Sequence, residues 1–238
     1  MRHAAPARTY LTAPALLLDL AQNLTATAAD RHAGPDSCTI LRRTTIHGDG
    51  SPGPTVTSVR VLHPDGSGLL LEQAHTNVTT ASGWSRTTYP VGQLLAGFAE
   101  PLPDDPNVLA AAVLMATATS GSSSSMQVAV LADLASLRYL DQPHRRTVLR
   151  FLATLPSSTI LGDGRTMRGE PTIGVRFDDG TPTSIDLWFT ATTGRLVAID
   201  LTDTGTGRSH TRTDLLHSAR CHPADLAPAV TALTATAP

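Results

Sequence analysis

The sequence lacks lysine altogether and is poor in charged residues, aromatic residues and cysteine. All 18 basic residues are arginines, charged residues make up 16% and aromatic residues 4% of the chain, and the formal net charge is −2. Without a basic excess, there is no electrostatic basis for binding nucleic acid or an anionic membrane surface. With 41% hydrophobic residues, the chain is also too apolar to be disordered. We expect a single folded domain over residues 1–238, long enough to form a core without a metal or a disulfide.

Cysteines and long apolar runs are equally scarce. Two cysteines, Cys38 and Cys221, are too few for a disulfide scaffold. They could form one bridge between the first strand and the C-terminal segment in an oxidising compartment, or stay two thiols in a reducing one. The apolar runs at 14–20 and 108–118 are too short to cross a bilayer, and the first contains Asp19. As written, the chain is expected to be soluble, with no signal peptide and no transmembrane helix.

Local catalytic and cofactor signatures are missing as well. There is no G-x-S-x-G elbow, no H-E-x-x-H and no C-x-x-C, although a hydrolase triad can still assemble from distant residues. His217, Cys221 and His222 cluster near the C-terminus, but with nine histidines in the chain this is expected by chance, and no metal site is predicted. The glycines at 47–53 fit G-x-G-x-x-G, but the strand-like segment 54–61 follows where a dinucleotide site needs a helix. These glycines therefore predict a β-hairpin, and no cofactor is expected.

Hydrophobic periodicity gives the order of the elements. Leu16, Leu20 and Leu24 form one helical stripe, and Thr12 is a suitable N-cap before it. We expect an N-terminal helix at 12–29, a first β region at 37–89 and a helical insertion at 90–156. A second β region at 157–221 and a tail at 222–238 follow.

Apolar and polar residues alternate clearly in the second β region, which is typical of strands with one buried face. The apolar sets are Ile173, Val175 and Phe177; Ile185, Leu187 and Phe189; and Val197, Ile199 and Leu201. Separate runs of strands and helices favour an α+β fold with an antiparallel sheet over an alternating α/β fold. We expect one curved antiparallel sheet, similar to a half-barrel, with the N-terminal helix and the helical insertion packed on it.

The polar residues of the same strands are candidates for binding. Arg176, Asp186, Trp188 and Asp200 alternate with the apolar sets and so share the opposite face. If that face is in solvent, which alternation favours, they are ordinary cross-strand partners. If it lines a concave surface, Arg176 and Trp188 are ligand contacts, since arginine suits a carboxylate or a phosphate. Trp84 is a third candidate. No catalytic residue and no metal ligand is predicted.

Two segments, 145–164 and 174–201, carry a family resemblance. An arginine-rich amphipathic helix ends in L-A-x-L-P at 152–156, and a hairpin turn reads T-G-x-L at 193–196. With these motifs the chain resembles, over residues 12–220, an uncharacterised family of extracytoplasmic domains from GC-rich bacteria. That family is similar in layout to the half-barrels of lipoprotein carriers and of periplasmic sigma-factor regulators.

The resemblance implies a concave sheet closed by helices, able to hold an acyl chain or to bind a protein. Proteins of the family usually carry a transmembrane helix before this domain, so either the start of this chain is displaced or it is a soluble version. We predict a non-enzymatic binding module that holds an apolar, lipid-like ligand or a protein partner between sheet and helices. The alternatives are a hydrolase with a non-local triad, which shifted pKa values in a cleft would favour, and an interaction protein with a filled core.

Overall fold

The computed structural model describes residues 12–31, 34–77, 80–81, 83–93, 103, 105–117, 123–166, 168–205 and 208–222; the expected tail beyond 222 lies outside this set. The helices are α1 Ala13–Asn23, α2 Pro106–Thr117, α3 Ser124–Leu137 and α4 Gln142–Leu152, with a 3-10 helix at Ala28–Arg31. The strands are β1 Asp36–His47, β2 Pro52–Leu62, β3 Gly68–Asn77, β4 Thr80–Ala81, β5 Ser85–Tyr89, β6 Ser158–Arg165, β7 Pro171–Phe177, β8 Thr183–Thr190, β9 Leu196–Asp203 and β10 Ser209–Cys221.

These ten strands form one antiparallel sheet. Its order is β4-β3-β2-β1-β10-β9-β8-β7-β6, and β5 also pairs with β3. β1 pairs with β2 on one side and with β10 on the other, in a register that runs from Asp36↔Cys221 to His47↔Ser209. The two β regions therefore join edge to edge into one curved, unclosed sheet. The predicted fold class is confirmed: α+β, one half-barrel-like antiparallel sheet with helices packed on it.

The predicted N-terminal helix forms, but it ends early. The Thr12 side chain accepts a hydrogen bond from the first turn of α1, as an N-cap does. The helix ends at Asn23, before the end of the predicted 12–29. Beyond it, the Thr25 N–H donates to the Thr192 carbonyl of the β8–β9 turn at 3.1 Å, a bond that takes the chain out of the helical path.

All four helices lie against one face of the sheet, here called the helix-side face. Its buried apolar residues over β7 and β8 are Val175, Phe177, Ile185, Leu187 and Phe189. Leucines, valines and alanines from the four helices complete this cluster. The opposite face, here called the outer face, carries Arg42, Arg176, Trp188, Asp200 and Arg212.

Two positions of the predicted β9 set differ from the expectation: Leu201 is 36% exposed, and Val197 is buried but on the outer face. Val197 was expected on the buried face with Ile199, but the β8–β9 register shifts at Trp188/Phe189 and places Leu196 opposite Phe189. Leu196 packs against the helix-side cluster, whereas Val197 lines a pocket on the outer face. Such a bulge inserts one extra residue into a strand and so breaks the alternation, which a period-two pattern does not reveal.

A buried ion pair ties the 3-10 helix to the start of α4. The Asp30 carboxylate accepts hydrogen bonds from Arg145 Nη1 and Nη2 at 3.0 and 2.9 Å and from the Tyr139 hydroxyl at 2.5 Å. Arg145 also donates to the carbonyls of Leu140 and Thr193, at 2.8 and 2.9 Å. The two charged side chains are only 10% and 3% exposed. Burial opposes ionisation of Asp30, but the bonds from Arg145 and Tyr139 outweigh it and hold the pKa of Asp30 well below its usual range.

Removing one partner of this pair should destabilise the protein strongly. Arg145→Met leaves the Asp30 carboxylate buried without its cation, which costs about 3–5 kcal/mol. Because the folded pKa of Asp30 is depressed, its contribution is complete above the unfolded pKa of about 3.9 and is lost as the pH falls below that value. Urea unfolding of the wild type and of Arg145→Met at neutral pH measures the first effect, and unfolding of the wild type at falling pH measures the second. Asp30→Asn should abolish this part of the acid dependence.

The exposed pair of Arg195 and Glu170, 3.2 Å apart, provides the matched control. Glu170→Gln should cost less than about 1 kcal/mol, since solvent screens such a pair. Equal losses for Arg145→Met and Glu170→Gln would show that the buried pair has no special role.

Candidate functional site

The space between helices and sheet is filled over one half of the sheet. Beneath α3 and α4, between Leu149, Leu152, Leu187 and Phe189, the remaining cavity measures about 30 Å³. That is room for about one or two water molecules and not for an acyl chain. Over this half the protein therefore has the filled core of an ordinary globular domain.

Over the other half the cover is thinner and two cavities remain. One, of about 210 Å³, lies between α3 and the strands β1, β2, β8, β9 and β10; the other, of about 290 Å³, lies between the end of α3 and the strands β2, β3 and β5. Both are lined by Arg60 and Asp133, so they adjoin. We call the two together the helix-side groove. Its apolar walls are Leu41, Ala129, Ile199 and Leu201 in the first cavity and Leu62, Leu70, Tyr89 and Leu137 in the second.

Charged groups of both signs meet where the two cavities adjoin. Arg60 is held by a hydrogen bond from its Nη1 to the Ser136 hydroxyl at 3.0 Å, and burial lowers its pKa. Asp133 is accessible from the groove, yet the protein atoms around it raise its pKa by desolvation, against the attraction of Arg60. Nearby, the Ser58 hydroxyl donates to the Glu72 carboxylate at 2.9 Å. The groove thus combines apolar walls with a polar, nearly charge-balanced middle.

The residues predicted to bind a ligand do not all come together. Arg176 and Trp188 share the outer face of the neighbouring strands β7 and β8, but Trp84 precedes β5, which lies near the opposite edge of the sheet. Arg176 donates from Nε and Nη2 to the Asp186 carboxylate at 2.7 and 2.8 Å, so its fork is already occupied. Trp188 donates from Nε1 to Asp200 at 2.8 Å and lines an outer-face pocket of about 330 Å³.

Both the helix-side groove and the outer-face pocket are lined by residues that the sequence analysis did not identify as candidates. Arg60 and Asp133 of the groove were not predicted, and for Arg60 the reason is that alternation in β2 marks Val59 and Val61 as the inward residues. Both valines are indeed buried, but on the outer face, while Arg60 faces α3. The sequence signal that could have identified Arg60 is a charged residue between two apolar residues of one strand, Val59 and Val61.

A histidine, a threonine and an aspartate lie together on the outer face of β9 and β10. His210 Nδ1 is 3.3 Å from the Thr202 hydroxyl, and its Nε2 is 3.4 Å from the Asp200 carboxylate. Both distances are longer than the 2.6–3.2 Å that proton transfer needs. Asp200 also accepts hydrogen bonds from Trp188 and Arg212, each at 2.8 Å. Asp200 therefore serves an ionic network, and this geometry gives no support to the hydrolase alternative.

No group of three or more His, Cys, Asp or Glu side chains within the described ranges is arranged to hold a metal ion. Likewise, no helix among the described residues is both long and apolar enough to cross a membrane.

The two cysteines are neighbours in the sheet and are present as thiols. Cys38 pairs with Ala219 and Cys221 pairs with Asp36, so both lie at one end of the β1–β10 pairing. A hydrogen bond between the two thiols and the burial of Cys38 raise the pKa of the Cys38 thiol. The bridge considered from the sequence stays a prediction.

Comparison with known proteins gives similarity to solved structures only. No protein-family model and no curated protein matches this sequence. The crystal structure of MucB in complex with MucA(peri) matches 87% of this chain with 14% identity and a TM-score of 0.33. The Pseudomonas aeruginosa MucA/MucB complex matches 90% with 16% identity and a TM-score of 0.35. A LolA superfamily protein from Nitrosomonas europaea matches 91% with 11% identity and a TM-score of 0.23.

The matched proteins differ in how much of their own length this chain covers. This chain spans 55% and 60% of the chains matched in the two MucB complexes and 97% of the LolA superfamily protein. The similarity to MucB and to a LolA superfamily protein agrees with the resemblance expected from the sequence, and at these TM-scores it carries no argument about a ligand or a partner of this protein.

Oxidation should join Cys38 to Cys221. With oxidised glutathione, both thiols lose their protons and two electrons, an S–S bond forms, and two reduced glutathione molecules are released. The raised pKa of Cys38 leaves little thiolate, so the reaction should be slow near neutral pH and faster at alkaline pH. Alkylation under denaturing conditions, followed by mass spectrometry, should show both cysteines protected, and the bridged form should be more stable by up to about 4 kcal/mol.

Cys221→Ser is the control, since its remaining thiol can form only a mixed disulfide with glutathione. If both wild-type thiols still alkylate, or carry glutathione, after oxidation is complete, the predicted bridge does not form.

Proposed function

We propose that this protein is a non-enzymatic binding module whose helix-side groove holds a lipid-like ligand, an apolar chain with a small polar end. The observation that carries the proposal is the uneven cover of the sheet. Adjoining cavities of about 210 and 290 Å³ remain under and beside α3, while the space beneath α4 is filled. Together they reach the size range of small-molecule sites, which begins near 300 Å³.

The walls of the groove favour an apolar chain. Burial is worth about 0.8 kcal/mol for each methylene, so a chain of about ten methylenes gains roughly 8 kcal/mol. Part of this gain is offset by the loss of motional freedom on association. We therefore expect a medium-length acyl chain to bind with a dissociation constant in the micromolar range.

The middle of the groove favours a small, weakly charged head. Arg43 and Arg60 are positive and Glu72 and Asp133 are negative, so the charges are balanced around the junction. A head with two or more charges would give up its hydration for a charge-balanced environment with little gain. A hydroxyl, amide or carboxyl head can instead bond to Ser58, Arg60 or Asp133.

Filling the groove should abolish uptake of a fluorescent fatty acid by the delipidated protein. Ala129 is half-buried in α3 and lines the first cavity, so Ala129→Trp places an indole where the chain would lie. We expect binding at least about tenfold weaker than for the wild type, since the chain loses its apolar contacts. The measurement is a fluorescence titration at micromolar concentrations.

Ala111→Trp on the exposed side of α2 adds the same bulk away from the groove and should bind like the wild type. Urea unfolding of both variants separates a blocked groove from a failure to fold. No uptake by the wild type, or normal uptake by a folded Ala129→Trp, contradicts the lipid proposal.

A protein partner is the second candidate, and the exposed face of α2 favours it. Val108, Leu114 and Met115 are 54%, 45% and 79% exposed, and α2 contains no charged residue. Its other side, with Leu109 and Val113, is buried against the helix-side cluster. Apolar residues that form one exposed patch often mark a protein interface.

Site-specific photo-crosslinking in the native host tests this second candidate. A benzoylphenylalanine at position 115 should give one discrete adduct, because this side chain is the most exposed of the patch. The same probe at position 22, on the exposed side of α1, should give none. Equal adduct patterns at both positions would show that α2 has no specific partner.

A further inference from the structure

Five arginines from distant parts of the chain converge on one pocket of the outer face. They come from β1, the end of β6, the β6–β7 turn, the β8–β9 turn and β10: Arg42, Arg165, Arg168, Arg195 and Arg212. The pocket measures about 330 Å³ and lies on the face away from the helices. It does not share its arginines with the helix-side groove, so a site here is independent of the function proposed above.

The charges around this pocket do not cancel. Glu170 and Asp214 also line it, and Asp200 lies behind Trp188. Five cations against three carboxylates leave an excess of two positive charges, in a chain whose formal net charge is −2. The basic residues of the protein are thus concentrated here against the overall charge.

Several of these arginines have N–H groups that are not used in hydrogen bonds to the protein. Arg212 is bound to Asp200 and Asp214, at 2.8 and 3.0 Å. Arg195 reaches Glu170 through Nη2 at 3.2 Å, while its buried Nε has no hydrogen-bond partner among the described residues. Arg165 gives one Nη1 hydrogen bond to the Gly169 carbonyl at 2.8 Å. The remaining donors of these groups can turn to a ligand.

Trp188 forms a fixed wall of the pocket. Its Nε1 bond to Asp200 sets the orientation of the ring, and its other ring atoms lie over Gly164 and Gly174. A Cβ at Gly164 or Gly174 would approach the ring to 2.8 or 2.7 Å, so only glycine permits this position. An indole held in this way offers a flat surface against which a ring can stack.

We propose that this pocket binds a phosphate monoester whose organic part packs against Trp188. The arginine fork matches the oxygens of phosphate, and the excess of two positive charges matches a phosphate monoester, which carries close to two negative charges at neutral pH. The ester is either a soluble phosphorylated ring compound or the phosphate head of an anionic lipid, and the test separates the two.

The test follows the fluorescence of Trp188 in a Trp84→Phe background, where it is the only tryptophan. Titration with glucose 6-phosphate at constant ionic strength should give a saturable change, and glucose should give none. Arg165→Gln with Arg168→Gln should weaken binding by about tenfold or more, since charged hydrogen bonds are lost. Arg86→Gln with Arg150→Gln removes the same charge from exposed positions and should change binding by less than about twofold.

Flotation with phosphatidylcholine vesicles that contain phosphatidic acid tests the second source. A saturable response to glucose 6-phosphate that is sensitive to the first pair of variants supports a soluble ester. Vesicle binding alone, with the same sensitivity, supports a lipid head. Absence of both responses, or equal losses in the two variant pairs, overturns the proposal, and urea unfolding confirms that each variant is folded.

Discussion

The pairing of β1 with β10 is the constraint on which the rest of the structure depends. It joins residues from opposite ends of the chain, and closing so long a loop costs entropy before any contact is gained. A register that runs from Asp36↔Cys221 to His47↔Ser209, with one irregularity between Ile40 and Leu41, offsets this cost with a long ladder of hydrogen bonds. Without it there would be two separate sheets, each with an exposed edge, and neither the groove nor the arginine pocket would exist, because both have walls from the two β regions.

The helices are fixed to this sheet at one side, which explains why the groove stays open at the other. Arg145 and Thr25 bond to the β8–β9 turn, while Arg146 donates to a carbonyl of α1 and Gln142 to the carbonyl of the residue that caps its C-terminus. These bonds hold α1 and α4 beside the second β region. Over β1 the described structure has α3, tied by the Thr39 hydroxyl to the Ser136 carbonyl at 2.7 Å. A single helix cannot cover strands β1 to β3, so cavities remain beside it.

The order of elements and the fold class could be predicted from periodicity because each element carries its own pattern. Thr12 begins a helix, and Leu187 and Phe189 are buried, as expected. Alternation within a strand shows that it has two faces, but it does not show which face the helices cover. This is why Arg60 was missed and why the bulge at Val197 was invisible.

The sites were harder to predict because they are assembled from segments far apart in sequence. Trp188 was singled out from its place in β8, but its arginine neighbours come from five different segments whose proximity follows only from the strand order. Trp84 and Trp188 were both candidates from the sequence, yet they lie toward opposite edges of the sheet. A rare aromatic residue therefore indicates a candidate, while the topology decides its surroundings.

Strand β9 connects the two proposed sites physically. Ile199 and Leu201 line the helix-side groove, and Asp200 between them holds both Trp188 and Arg212 at the outer pocket. Consecutive side chains of a strand point to opposite faces, so one short segment supports an apolar wall on one side and an ionic network on the other.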